Sequence, residues 1–206
     1  MDIGVLGGTF DPIHSGHLIM AEEARLKLGL ARVLFVPARQ QWLKTGRNIA
    51  PAVHRVEMVK LAIATNPNFE ISAVDIDRPG PSYSVDTIAI LQQQMGAEAK
   101  IFFLVGWDSL AELPQWKEPD RLIQLCKLVA VTRPGFSRPD SKVLEASVPG
   151  VTQSVAWLDI APVDISSTDI RKRVAQGLSI HGLVPEAVES YIKKHELYRR
   201  GEVHIL

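Results

Sequence analysis

Apolar runs alternate with amphipathic stretches along almost the whole chain. Ile3–Leu6 is short, apolar and followed by Gly7-Gly8, which reads as a buried strand. Leu18, Ala21, Arg25 (by its stem) and Leu28 recur at helical spacing and predict a helix over Ser15–Leu28, with Gly29 as its stop. Val33–Val36 is the next expected strand, ended by Pro37. Val53, Val56, Val59 and Ile63 mark a second helix, and Phe69–Ile76 a third strand. Ser84 is expected to cap a helix running to about Met95, with Asp86 near its positive end. Ile101–Val105 and Leu128–Val131 are continuous apolar runs, the pattern of strands covered on both faces, and Val155–Ile160 reads as a further strand. Helices over Thr168–Gln176, closed by Gly177, and Pro185–Leu197 complete the series.

Strands alternating with helices predict βαβ units. The expected fold is α/β, a doubly wound Rossmann-like parallel sheet with helices on both faces and a C-terminal helical segment over about 166–206. No internal repeat or interdomain linker interrupts it, so residues 1–206 read as one domain. Residues 37–51 form a long polar connection carrying Arg39, Lys44 and Arg47, and residues 133–150 are rich in Pro, Gly and Ser. Long loops of this kind serve as lids or binding loops about as often as they are plain surface connections.

Composition narrows the partners. Hydrophobic residues make up 46 % and charged residues 22 %, the balance of a water-soluble globular protein with a real core. Lys+Arg (23) equals Asp+Glu (23), which argues against a broad nucleic-acid surface yet leaves room for a small positive pocket holding one nucleotide. The lone cysteine, Cys126, cannot form an intrachain disulfide, which fits a reducing compartment. Its setting in Leu-Ile-Gln-Leu-Cys reads as a core position of a helix. No stretch approaches the roughly 20 apolar residues of a membrane span. The expected location is cytoplasmic, with neither nucleic acid nor membrane as partner and with homo-oligomerisation left open.

In an open parallel sheet, ligands bind beyond the carboxyl ends of the strands. The first loop there reads Gly7-Gly8-Thr9-Phe10-Asp11-Pro12-Ile13-His14-Ser15-Gly16-His17. It is neither a GxGxxG fingerprint, which disfavours a dehydrogenase, nor a GxxxxGK[ST] phosphate loop. Its glycines permit close approach of phosphates, and His14 and His17 at a helix start can present donors to a polyphosphate. Taken alone, the pair also fits two turn histidines without a role, or two zinc ligands lacking a third. A second segment, Ser166-Ser167-Thr168-Asp169-Ile170-Arg171, places hydroxyls, helix-start amides and an arginine where phosphate oxygens are readily held.

The first of these segments resembles the HxGH signature of the nucleotidylyltransferase superfamily, and Ile165–Arg171 resembles its second signature. Three more look like nicotinate-nucleotide adenylyltransferase: Pro81–Thr87 is similar to its SYTxxT segment, Leu104–Leu110 with Trp116 to its GxDxL…W segment, and Val184–Tyr198 to its C-terminal helix. The sequence departs from that family at Trp107, at Ser84, and at Gln41-Trp42-Leu43-Lys44, where a PPHK-like run is usual.

The resemblance implies transfer of AMP from ATP to nicotinate mononucleotide, giving nicotinate adenine dinucleotide and pyrophosphate without a covalent intermediate. His14 and His17 are then the catalytic candidates. Gly8, Thr9, Phe10, Lys44, Gly106, Asp108, Ser167, Thr168 and Arg171 are candidates for ATP, and Tyr83, Thr87 and Trp116 for the acceptor. Mg²⁺ is expected to arrive with ATP and to need few protein ligands. Rival expectations are another adenylyltransferase of this fold, such as one acting on phosphopantetheine, and a catalytically silent nucleotide-binding module.

Overall fold

Successive side chains of a strand point to opposite faces, so a continuous apolar run must be covered on both sides. A computed structural model describes residues 1–40, 49–96, 98–161 and 163–199. Among them, β1 (Asp2–Gly8), β2 (Arg32–Pro37), β3 (Phe69–Ile71), β4 (Lys100–Gly106), β5 (Lys127–Val131) and β6 (Val155–Leu158) form one parallel sheet in the order β3-β2-β1-β4-β5-β6. The helices are α1 (Ser15–Leu28), α2 (Ala52–Ile63), α3 (Val74–Asp77), α4 (Ser84–Met95), α5 (Trp107–Ala111), α6 (Pro119–Leu125), α7 (Ser141–Ser147), α8 (Val151–Ser154), α9 (Ser167–Ala175) and α10 (Glu186–Lys194).

The pairing register aligns Leu6 with Phe35 on one side and Leu104 on the other. These residues, with Val129 and Leu158, belong to a core shared with Ala21 and Ala24 of α1, Met58 and Val59 of α2, Ile170 of α9 and Val188 of α10. The alternate positions Ile3, Val5, Leu34, Val36, Phe103 and Ala130 form a second core with Val85 and Ile88 of α4, Leu122 of α6 and Leu144 of α7. Two apolar faces covered by helices are the doubly wound α/β architecture that the hydrophobic pattern predicts.

Several local expectations are corrected. The ladder of β3 ends at Ile71, so Phe69–Ile76 is not one strand. The chain then turns into α3, which brings the buried Asp75 carboxylate to the Thr87 hydroxyl at 2.6 Å and to Arg78 at 3.0 Å. Ser84 is the first residue of α4 rather than its cap, a position held by Tyr83. Helix α9 begins one residue early because Ser166 caps it, its Oγ accepting from the Asp169 amide at 3.1 Å. The 133–150 stretch contains α7, whose cap Asp140 accepts from the Lys142 amide at 2.8 Å. The last helix ends at Lys194, although Leu197 beyond it is still buried.

Cys126 lies just past α6, buried, with its thiol 3.5 Å from the Leu122 carbonyl. Burial pushes that thiol up to about 12, so it stays protonated and inert at neutral pH. No helix among the described residues is long and apolar enough to cross a membrane.

Candidate active site

Where the strand order of a parallel sheet reverses, the loops leaving two neighbouring strands turn to opposite faces and leave a crevice between them. Here the reversal falls between β1 and β4. A cavity of about 360 Å³ opens there, walled by Gly7 and Gly8 at the end of β1, Leu104–Gly106 of β4, Thr132 and Arg133 beyond β5, and the start of α9. Of the candidates read from the sequence, Gly8, Thr9, Phe10, His14, His17, Thr87, Gly106, Trp116, Ser167, Thr168 and Arg171 line it. Tyr83 and Asp108 stand beside lining residues without being among them, and Lys44 lies outside the described residues.

The two histidines are stacked, ring centroids 3.7 Å apart. His14 precedes the first residue of α1 and is 7 % exposed. Its backbone N–H donates to Nδ1 of His17 at 3.2 Å, which leaves the His17 ring proton on Nε2. Phe10 meets the His17 ring edge-on at 5.1 Å and fixes its tilt. A Cβ at Gly16 would lie 3.0 Å from His14 Nδ1, so the ring position depends on glycine there. Burial, then the nearby Arg133 charge, lowers His14 from 6.5 to about 4. His14 is therefore a neutral donor at pH 7, not a cation.

On the side of α9, Ser167 Oγ donates to the Pro12 carbonyl at 2.9 Å, tying the second signature to the first. Arg171 donates to the Asp11 backbone carbonyl at 2.6 Å and lies 3.7 Å from its carboxylate. That carboxylate also accepts from the Tyr198 hydroxyl at 2.8 Å and the Ala50 amide at 3.2 Å. Beneath this loop, buried Arg55 donates to the carbonyls of Ala50 (2.9 Å), Thr9 (2.7 Å), Ala38 (2.8 Å) and Arg39 (3.3 Å).

At the opposite wall, Ser82, Ser84, Thr87, Trp116 and Lys117 line the cavity around the positive end of α4. The Thr87 hydroxyl is directed at Asp75, so its one proton is committed within the protein. Asp86 holds Arg78 and Lys117, each at 3.0 Å, and the Lys117 ammonium sits 4.9 Å from the Tyr83 ring centroid. Trp116 packs edge-on against Phe103 at 6.2 Å, and its buried indole Nε1 has no hydrogen-bond partner among the described residues. Asp108 pairs tightly with Arg133, which does line the cavity. A Cβ at Gly106 would collide with Asp108 Oδ1, so glycine makes that pair sterically feasible.

Comparison with known proteins decides the family. The cytidylyltransferase-like family matches residues 5–173. A nicotinate-nucleotide adenylyltransferase of Dehalococcoides mccartyi is 45 % identical over 96 % of this chain and 97 % of its own. One from Roseiflexus sp. is 48 % identical over 96 % and 98 %. The chain belongs to the nicotinate-nucleotide adenylyltransferase family. Structures of the nicotinic acid mononucleotide adenylyltransferase of Plasmodium falciparum, complexed with APC and with NaAD, share the fold. Both match at a TM-score of 0.75 and 18 % identity, the first over 96 % of both chains.

Three residues of this adenylyltransferase site were not singled out in the sequence. Asp11 stands inside the first signature, where nothing local marks its role. Arg133 directly follows the apolar run of β5, at the strand end where ligands gather, and that position was the available signal. Arg55 shares one helical face with Met58, Val59 and Ala62, all buried, so a charge on the apolar stripe of α2 was legible.

Proposed function

We infer that this chain transfers AMP from ATP to nicotinate mononucleotide, releasing pyrophosphate. The observation that carries this reading is the meeting of His14 and His17 with Ser167, Thr168 and Arg171, from opposite ends of the sequence, in one cavity at the sheet's switch point. An acceptor phosphate oxygen is already anionic at pH 7 and attacks the α-phosphorus of ATP directly. The bond from the α-phosphorus to the bridging oxygen breaks, and its electron pair leaves with pyrophosphate. The protein's task is alignment and stabilisation of the charge that develops. His17, with its proton on Nε2, and neutral His14 supply donors to the phosphates. Arg171, Arg133 and the positive end of α9 face the β- and γ-phosphates.

Mg²⁺ supplies charge neutralisation on the triphosphate when bound. Among the described residues no group of three or more His, Cys, Asp or Glu could hold a metal ion, so phosphate oxygens and water would be its main ligands. A cytosolic setting suits a chain whose lone cysteine is a buried, protonated thiol.

For the acceptor, the positive end of α4 with Lys117 beside it favours the carboxylate of nicotinate over the neutral amide of nicotinamide. Trp116 lines the same wall and would stack on either ring. Pyrophosphate release from Mg-ATP with a panel of nicotinate mononucleotide, nicotinamide mononucleotide and phosphopantetheine tests the assignment. Nicotinate mononucleotide should lead by at least about tenfold in kcat/KM. Release with phosphopantetheine alone, or with no acceptor, overturns it.

A further inference from the structure

Tyr198 lies past the last helix, far in sequence from the cavity, yet its hydroxyl reaches the buried Asp11 carboxylate at 2.8 Å. Its backbone has a φ of 67°, in the left-handed region that bulky residues seldom occupy. The chain accepts that conformation with the ring directed inward. Asp11 is only 3 % exposed, and its neighbours compete for it: the Ala50 amide at 3.2 Å, the Arg171 guanidinium at 3.7 Å and the Tyr198 hydroxyl. Burial and the Asp11 charge hold the tyrosine hydroxyl well above its ordinary range, so it remains a donor throughout the working pH range.

We propose that Tyr198 is a positioning residue for ATP: by occupying Asp11 it keeps the carboxylate from closing on Arg171 and leaves that guanidinium turned to the triphosphate. Tyr198, Ala50 and Arg171 share one carboxylate through its two oxygens. Oδ1 of Asp11 is taken by Tyr198 and Ala50, while Oδ2 stands off Arg171 beyond hydrogen-bond distance and the guanidinium bonds the backbone carbonyl instead. Without the hydroxyl, a buried carboxylate missing one donor draws in the cation already standing 3.7 Å away, Arg171. The guanidinium then meets ATP only after breaking a tighter ion pair. This proposal rests on the reading that Arg171 contacts the triphosphate.

Tyr198→Phe removes the hydroxyl and little else, and circular dichroism with a melting curve verifies the fold. Steady-state kinetics with Mg-ATP and nicotinate mononucleotide should show the ATP KM raised about ten- to a hundredfold, the scale of one charge-assisted hydrogen bond, with the acceptor KM and kcat changed less than about twofold. In an Arg171→Ala background the same substitution should have no further effect on ATP. A purely structural tyrosine would lower Tm and leave both KM values alone, or would act equally in the two backgrounds; either result overturns the proposal. An ATP KM unaffected by Arg171→Ala would overturn the underlying placement of Arg171 together with it.

Discussion

Arg55→Lys isolates what a buried guanidinium does for this site. Arg55 is 2 % exposed and holds the carbonyls of Ala50, Thr9, Ala38 and Arg39. Those carbonyls belong to the loop after β1 and to the two ends of the 37–51 connection, so one side chain pins three backbone segments at the cavity. Lysine keeps the charge but offers one nitrogen on an unforked stem. If two of the four carbonyls lose their donor while staying buried, the loss is about 1–3 kcal/mol each. A total of about 2–6 kcal/mol lowers Tm by roughly 5–20 °C in a chain of this length. Arg55→Met removes every donor, about 4–12 kcal/mol on the same scale. That rivals the whole stability of an ordinary domain, about 5–15 kcal/mol, so this variant is expected not to fold.

The assay pairs thermal melting with kinetics well below the melt. Arg55→Lys should also raise the ATP KM more than the acceptor KM, because Thr9 and Asp11 share the loosened loop. A Tm within about 2 °C of wild type, less than roughly 1 kcal/mol, would refute the view that the fork is needed.

Other outcomes follow from the same geometry. His14 sits at about 4 against an ordinary 6.5, so its contribution to stability is complete above pH 6.5 and is lost as pH falls toward 4, by at most ~3 kcal/mol. Urea unfolding at about pH 7.5 and about pH 4.5 should show a smaller acid loss in His14→Asn than in wild type, and equal losses would contradict the assignment. His17→Ala should lower kcat about 10²–10³-fold with an unchanged circular dichroism spectrum, and a near-normal kcat sinks its role as a transition-state donor. Gly106→Ala forces a Cβ against Asp108 Oδ1, so it should destabilise by about 1–3 kcal/mol; a wild-type melt would show that the Asp108–Arg133 pair yields freely.

The sheet was legible because period and burial agree there: Ile101–Val105 and Leu128–Val131 have no polar break, and both became inner strands. Ser15–Leu28 was bounded by its own chemistry, a histidine turn at one end and glycine at the other. Phe69–Ile76 misled because Val74 and Ile76 look like strand positions, while the deciding partner of Asp75 is Thr87, twelve residues on. The same limit applies in the site. Both signatures could be read locally, but nothing local tells that Tyr198 answers Asp11, or that Asp108 is occupied by Arg133. Sequence motifs name the groups that face a ligand. The partners that hold those groups come from elsewhere in the chain, and only the fold brings them together.

Those partners reconcile a chain of zero net charge with a site for a polyanion. Among the described lining residues the cations are Lys117, Arg133 and Arg171, and each has an acid near it: Asp86, Asp108 and Asp11 respectively. A single phosphate entering such a site gains one cation but must share it with the resident carboxylate, so the net attraction is small. A triphosphate engages several at once, and alignment by the first contact makes the later ones effectively intramolecular. The arrangement therefore predicts steep dependence on phosphate number. AMP should compete with ATP at least about a hundredfold more weakly than ADP or a non-hydrolysable ATP analogue, the equivalent of two charge-assisted contacts. Inhibition constants measured at one fixed ionic strength decide it: comparable values for AMP and the triphosphate analogue would mean that these paired cations do not act on the polyphosphate at all.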